Sequence, residues 1–99
     1  MENRKQEIIK EIKEHIASRG GSYADWYVGI ATDPQERLFK DHKVNKDTDK
    51  WIRRLADSEK QAREIEDYFV NTLKTDGGTG GGINPTSVYA YRKNSHTDP

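Results

Sequence analysis

The longest uninterrupted apolar run in this chain is four residues, Val88-Tyr89-Ala90-Tyr91, and Trp26-Tyr27-Val28 is a run of three. A fold made from such a sequence cannot rest on long buried segments. It has to collect its core one side chain at a time, from one stripe of each helix and one face of each strand. Leu, Ile, Val and Phe together supply 17 of 99 residues, and so low a supply favours disorder when it comes with high net charge. Here 17 basic residues balance 17 acidic ones, and two Trp and five Tyr add apolar area. One small domain over residues 1–99 with a thin, aromatic-rich core is therefore expected. A transmembrane helix, which needs roughly 20 apolar residues, is excluded. Met1 leads directly into a charged stretch, which does not read as a signal peptide. With no cysteine there is no disulfide framework, thiolate metal site or Cys nucleophile, and a cytoplasmic address is expected. Neutrality argues against a general nucleic-acid coat, so an anionic ligand would need a local basic patch.

Spacing then gives the elements. Residues 3–18 read as a helix with a narrow stripe of Ile8, Ile9, Ile12 and Ile16, stopped at Gly20-Gly21; with them it forms an N-terminal helical segment, 1–21. Residues 26–31 are an uncharged, β-branched and aromatic strand. Asp33 is a candidate N-cap, with Pro34 at the first helical position and Glu36 completing a capping box, so a helix runs from about Pro34 to His42. Residues 43–50 are a polar loop, and Trp51–Ala56 an extended piece. Ser58 with Gln61 forms a second capping box, opening a helix whose stripe is Ala62, Ile65, Phe69 and Leu73 and which reaches about Lys74. Gly77 to Gly82 holds five of the chain's eight glycines. Ser87–Arg92 alternates as a strand, and residues 93–99 read as a disordered tail. The expected fold class is α/β (α+β), a small three-stranded sheet flanked by helices.

The chemistry-bearing residues each have a plain structural reading. The glycines follow a helix and lead into a strand, without the Gly-Lys-Ser/Thr end of a phosphate-binding loop; they are a helix stop with a connector, or a loop that admits a nucleic-acid backbone. Glu66 falls inside the broad apolar face of its helix, where a carboxylate is costly unless paired with Lys or Arg or bound to a cation. Helical periodicity puts Arg37 roughly opposite Leu38, Phe39 and His42, as a solvated arginine. His42 falls on the apolar side, as a hydrogen-bonded boundary histidine. No histidine spacing suits zinc, and no nucleophile elbow frames a serine.

Read as a whole, Tyr27-Val28-Gly29-Ile30-Ala31-Thr32-Asp33-Pro34-Gln35-Glu36-Arg37-Leu38 resembles the second half of the GIY-YIG endonuclease signature. That half has a Tyr-Ile/Val-Gly strand, a polar turn, and an arginine about ten residues after the tyrosine. A histidine commonly follows four residues later; here that position is Asp41, and His42 comes next. In the resemblance Trp51–Ala56 is the family's following strand, and Ala62–Val70 its helix, with Glu66 in the place of the metal-binding glutamate. The likeness covers about Trp26 to Leu73. The first family strand has no room before Tyr27, since an amphipathic helix precedes the motif. The C-terminal strand Val88-Tyr89-Ala90-Tyr91 is then expected to fill the missing sheet position, a circular-permutation-like swap in which Tyr89 or Tyr91 stands for the absent tyrosine. Asn84 is a weak match to the family's late asparagine.

The resemblance implies hydrolysis of DNA phosphodiester bonds with one divalent ion, Mg²⁺ (or Mn²⁺), held by Glu66. Arg37 would neutralise phosphoryl charge, and Tyr27 with Tyr89 or Tyr91, and His42, would handle the attacking water. DNA contacts would come from Lys43, Lys46, Lys50, Arg53, Arg54, Arg63, Arg92 and Lys93, whose bland reading is a charge-mixed surface. The alternative is a catalytically inactive module of the same fold that binds nucleic acid or a protein partner.

Overall fold

The computed structural model describes residues 4–78 and 84–99. The first helix, α1 (Arg4–Arg19), buries Ile8, Ile12 and Ile16. It stops where Gly20 takes a φ of +89°, a left-handed conformation that favours glycine, with its N–H still bonded to the Ile16 carbonyl at 3.0 Å. A short turn at Tyr23–Asp25 leads into strand β1 (Trp26–Ala31), all six residues of which are buried. Strand β2 is Trp51–Leu55, and strand β3 is Ser87–Arg92.

β3 is the centre of the sheet. The strand order is β1-β3-β2, with β3 antiparallel to both neighbours. Registers of Tyr27 opposite Tyr91, Gly29 opposite Tyr89, Trp51 opposite Tyr91 and Arg53 opposite Tyr89 set which side chains share a face. The expected small α+β fold with a three-stranded sheet is what forms.

The period of two along the strands separates two cores. On one face Trp26, Val28, Ile30, Ile52, Val88 and Ala90 pack against Ile8, Ile12 and Ile16 of α1 and against Ala62, Ile65 and Phe69. On the other, Tyr27, Ala31, Tyr89 and Tyr91 pack with Leu38 and Val44, and Phe39 and Trp51 complete the layer at its margin. Polar-tipped aromatics thus build one whole face, which is where a chain poor in aliphatics makes up its core.

Two helices depart from sequence expectation in the same way. The segment after Asp33, expected to be α-helical from Pro34 to His42, is a π-helical segment over Glu36–Asp41, in which the His42 N–H bonds to the Arg37 carbonyl at 2.8 Å. The second α-helix, α2 (Glu59–Asp67), opens on Ser58, whose hydroxyl accepts the Gln61 N–H. Gln61 returns a bond to the Asp57 N–H rather than to that of Ser58, so the expected box closes one residue early. Beyond Asp67 the chain widens into a π-helical turn, Tyr68–Thr72, instead of continuing as α-helix to Lys74. The Leu73 N–H bonds to the Tyr68 carbonyl and the Thr75 N–H to that of Phe69.

The expected disordered tail folds back. Lys93 N–H bonds to the Asp25 carbonyl, and Asp98 N–H to the His42 carbonyl at 2.7 Å. Of the glycine run only Gly77 and Gly78 fall within the described residues; the remaining glycines and their loop reading lie outside them. Among the described residues no helix is long and apolar enough to cross a membrane.

Candidate active site

The tyrosine face gathers most of the sequence-predicted residues. Tyr27 stacks over Tyr91 with ring centroids 5.2 Å apart, and over Tyr89 at 6.2 Å. His42 leans on Tyr27 at 4.6 Å. It is buried, and both ring nitrogens are engaged: Nε2 lies 2.8 Å from the Tyr89 hydroxyl, and Nδ1 lies 2.7 Å from the Asp98 carbonyl and 3.1 Å from the Tyr91 hydroxyl. Burial is the main cause that lowers the His42 pKa, so the ring is neutral at pH 7.

Arg37 belongs to this group, contrary to its surface position on an ideal wheel. In the π-helical segment each wide turn takes one more residue than an α-turn, which rotates side chains off the 3.6-residue pattern. The guanidinium stands beside the Tyr89 hydroxyl, whose hydrogen-bonding influence is the main cause that raises the Arg37 pKa. Nη1 pairs with Asp41 Oδ2 at 3.3 Å, while Nε is buried without a partner among the described residues. The Tyr89 phenol is pushed well above the usual range by burial, then by the charge it would share with Tyr27, against which Arg37 works. Tyr91 moves the same way, again chiefly by burial, but neither Arg37 nor Glu66 acts on it to a comparable degree. Of the two candidate tyrosines, Tyr89 is therefore the one that meets Arg37.

Glu66 approaches from α2. Ala62 and Ile65 turn toward the core, leaving Glu66 half-buried on the flank it shares with Val70 one turn later. Its charge reaches Tyr27 and Tyr89, raising both of their pKa values. Burial pushes the carboxyl from the ordinary 4.5 up to about 7, with Arg63 the cation that opposes the shift and Asp67 a second cause that raises it. Arg63 itself is paired with Glu59 at 2.8 Å. Glu66 is thus a half-buried carboxyl that forms no salt bridge among the described residues, with the Arg63 charge opposing its raised pKa.

Glycines make this convergence sterically possible, and sequence reading passed over them. A Cβ on Gly29 would come within 2.6 Å of the Tyr89 hydroxyl, so the ring lies across a strand position that only glycine leaves clear. The signal was available, because an isolated glycine inside a strand marks close approach by another group. Asp76 pairs with Tyr27 in a parallel bridge along the outer edge of β1, and a Cβ on Gly77 would collide with Val70 and approach the Val28 carbonyl. A Cβ on Gly78 would collide with the Tyr27 hydroxyl.

The predicted basic contacts divide. Arg53 is exposed on the tyrosine face, opposite Tyr89, and borders a groove with Trp51, Leu55 and Ser87. Lys43 follows His42 directly, with a φ of +62° and an exposed side chain. Lys46 is exposed. Lys50 and Arg92 border a separate hollow with Asp49 and Asn94. Arg54 pairs with Glu11 of α1 at 3.0 Å, Arg63 with Glu59, and Lys93 with Asp76 at 3.3 Å. Arg54 and Arg63 thus stand apart from the tyrosine face. Asn84, exposed at a φ of +51°, has no described contact with the site residues.

The donor set was compared with what a divalent ion needs. Among the described residues no three His, Asp or Glu side chains converge, so an all-protein cage is not formed. Mg²⁺ does not require one, since it keeps several waters and takes one or two carboxylates plus substrate phosphate. A half-buried carboxyl with a raised pKa, its nearest opposing cation already paired, fits that single-carboxylate mode. Compared with known families, curated proteins and solved structures, the chain matches none.

Proposed function

We propose that the tyrosine face with Glu66 is a phosphodiesterase site acting on DNA, in the manner that the resemblance to GIY-YIG nucleases implies. The observation that carries this reading is the contact of His42 with the Tyr89 phenol, beside which Arg37 stands. The central position of β3, which sets Tyr89 beside the Tyr27 strand, supports it.

Glu66 would hold one divalent ion, Mg²⁺ or Mn²⁺, which when bound supplies charge stabilisation at the phosphate and leaving oxygen. The remaining roles fall to the chain's own groups. Arg37, whose side chain is partly exposed, would offer its guanidinium to a phosphoryl oxygen, where a fixed cation favours the charge of the transition state. Tyr89 stays protonated at neutral pH, so it cannot act as a standing phenolate base. Its side chain is buried, so it would have to meet a water admitted to the tyrosine face, taking a proton from it while passing its own to His42 Nε2, 2.8 Å away. The hydroxide oxygen then bonds to phosphorus, the ester P–O bond breaks, and the departing oxygen is protonated from solvent. Tyr27, stacked on Tyr89 and Tyr91, holds the phenols in line.

The alternative, a catalytically inactive module that binds nucleic acid or protein, gives no role to a half-buried carboxyl that forms no salt bridge among the described residues. Nicking of supercoiled plasmid with Mg²⁺ or Mn²⁺ separates the two. The wild-type chain should convert plasmid to open circles, and Glu66→Ala should lower the rate on the order of 10²–10³-fold, as loss of one transition-state contact does. Equal cutting by both proteins would remove Glu66 from the reaction.

A further inference from the structure

We infer that the C-terminal strap Lys93–Pro99 is a positioning element of the site: the backbone carbonyl of Asp98 fixes His42 in the Nδ1–H tautomer and so leaves Nε2 bare to accept from Tyr89. A carbonyl oxygen can only accept a hydrogen bond. The Asp98 carbonyl lies 2.7 Å from Nδ1, so Nδ1 carries the proton. A neutral imidazole has one ring proton, so Nε2 is then the acceptor, and the Tyr89 hydroxyl at 2.8 Å must donate to it. The Tyr91 hydroxyl, 3.1 Å from Nδ1, shares that same N–H as an acceptor.

The strap is built to hold this contact. Asp98 grips His42 twice, since its N–H also bonds to the His42 carbonyl at 2.7 Å. Upstream, Asn94 and Thr97 close a tight turn, with Asn94 N–H on Thr97 Oγ1 at 2.9 Å and Thr97 N–H on Asn94 Oδ1 at 3.2 Å. That turn is tied down on Asp49, whose carboxylate accepts from Asn94 Nδ2 at 2.9 Å and meets His96 Nε2. Asp49 is itself fixed by the Asn45 N–H at 2.7 Å, and its side chain is 7% exposed. The chain thus runs from β3 through one buried anchor to the ring that faces the catalytic phenol. The tautomer assignment stands on these contacts alone; its effect on catalysis rests on the phosphodiesterase reading.

The test uses the full chain labelled with ¹⁵N at histidine. In the wild type the His42 ring should show a protonated Nδ1 and a bare Nε2. Two variants loosen the strap without touching the tyrosine face: Asn94→Ala with His96→Ala, which removes both ties to Asp49, and Asp98→Pro, which removes the N–H on the His42 carbonyl. In both, the proton should redistribute and draw the two ring shifts toward each other, and plasmid nicking should fall about tenfold. A wild-type ring protonated at Nε2, or a tautomer unchanged in both variants, would overturn the inference. The expected tautomer in a protein that cuts no DNA would leave the strap standing and remove the nuclease reading.

Discussion

At the scale of single residues, Glu66 joins stability to the proposed function. Its carboxyl has a folded-state pKa near 7 against an ordinary 4.5. An unfolded chain therefore ionises this group first, and the folded state loses ground as pH rises through that window, with the full penalty above about pH 7. Glu66→Gln should accordingly be more stable than wild type at about pH 8, by on the order of 1–2 kcal/mol after allowance for partial solvent screening, and no different at about pH 4. Urea unfolding at the two pH values checks this; equal stability at both would mean that the carboxyl is not desolvated. A group that weakens the fold when charged is what a cation site retains. Some of this was legible in the sequence, because Glu66 lies inside the apolar face of its helix. His42 was legible as a hydrogen-bonded boundary residue, but its three partners come from β3 and the tail, at sequence separations no periodicity reaches.

At the scale of elements, the strands and the helix stripes could be read and the helix interiors could not. Ile8, Ile12 and Ile16, and Ala62 with Ile65, bury as their spacing requires. Arg37 escaped that logic because the wheel assumes a uniform turn, and tertiary packing of Leu38 against the tyrosines comes with a wider one. The β1 strand offers the sharpest element-level prediction. Its Gly29 does not need an unusual φ, so Gly29→Ala leaves the backbone unstrained but forces the Tyr89 hydroxyl off a site 2.6 Å away. The substitution should cost about 1–3 kcal/mol of stability, as overpacking does, and reduce cutting about 10²-fold by displacing the phenol. A variant that cuts like wild type would show that the position of the Tyr89 hydroxyl does not matter.

At the scale of the whole molecule, a neutral chain with a thin aliphatic supply forms two cores around one sheet, and the aromatic core carries the proposed site. Charge balance is carried out locally: Arg54, Arg63 and Lys93 are answered by Glu11, Glu59 and Asp76. Arg37 is answered in the same way by Asp41, and that arrangement leaves little cation density for general DNA binding. The thin core also exposes the fold to acid. His15, packed edge-on to Trp26 at 5.7 Å, is neutral in the native state, with a pKa lowered from 6.5 to about 4, first by burial and then by Arg19 and Arg54. Its contribution is complete above about pH 6.5 and is lost as pH falls from there through 4, because the unfolded chain takes up the proton first. The melting temperature should fall across that window, and less steeply in His15→Gln. The most direct test is the single-turnover cutting rate of wild type, Tyr89→Phe and Arg37→Ala on supercoiled DNA with Mg²⁺, each protein first verified as folded. Wild type should cut, and each variant should lose about 10²–10³-fold; no cutting by wild type, or equal cutting by all three, would contradict the phosphodiesterase reading.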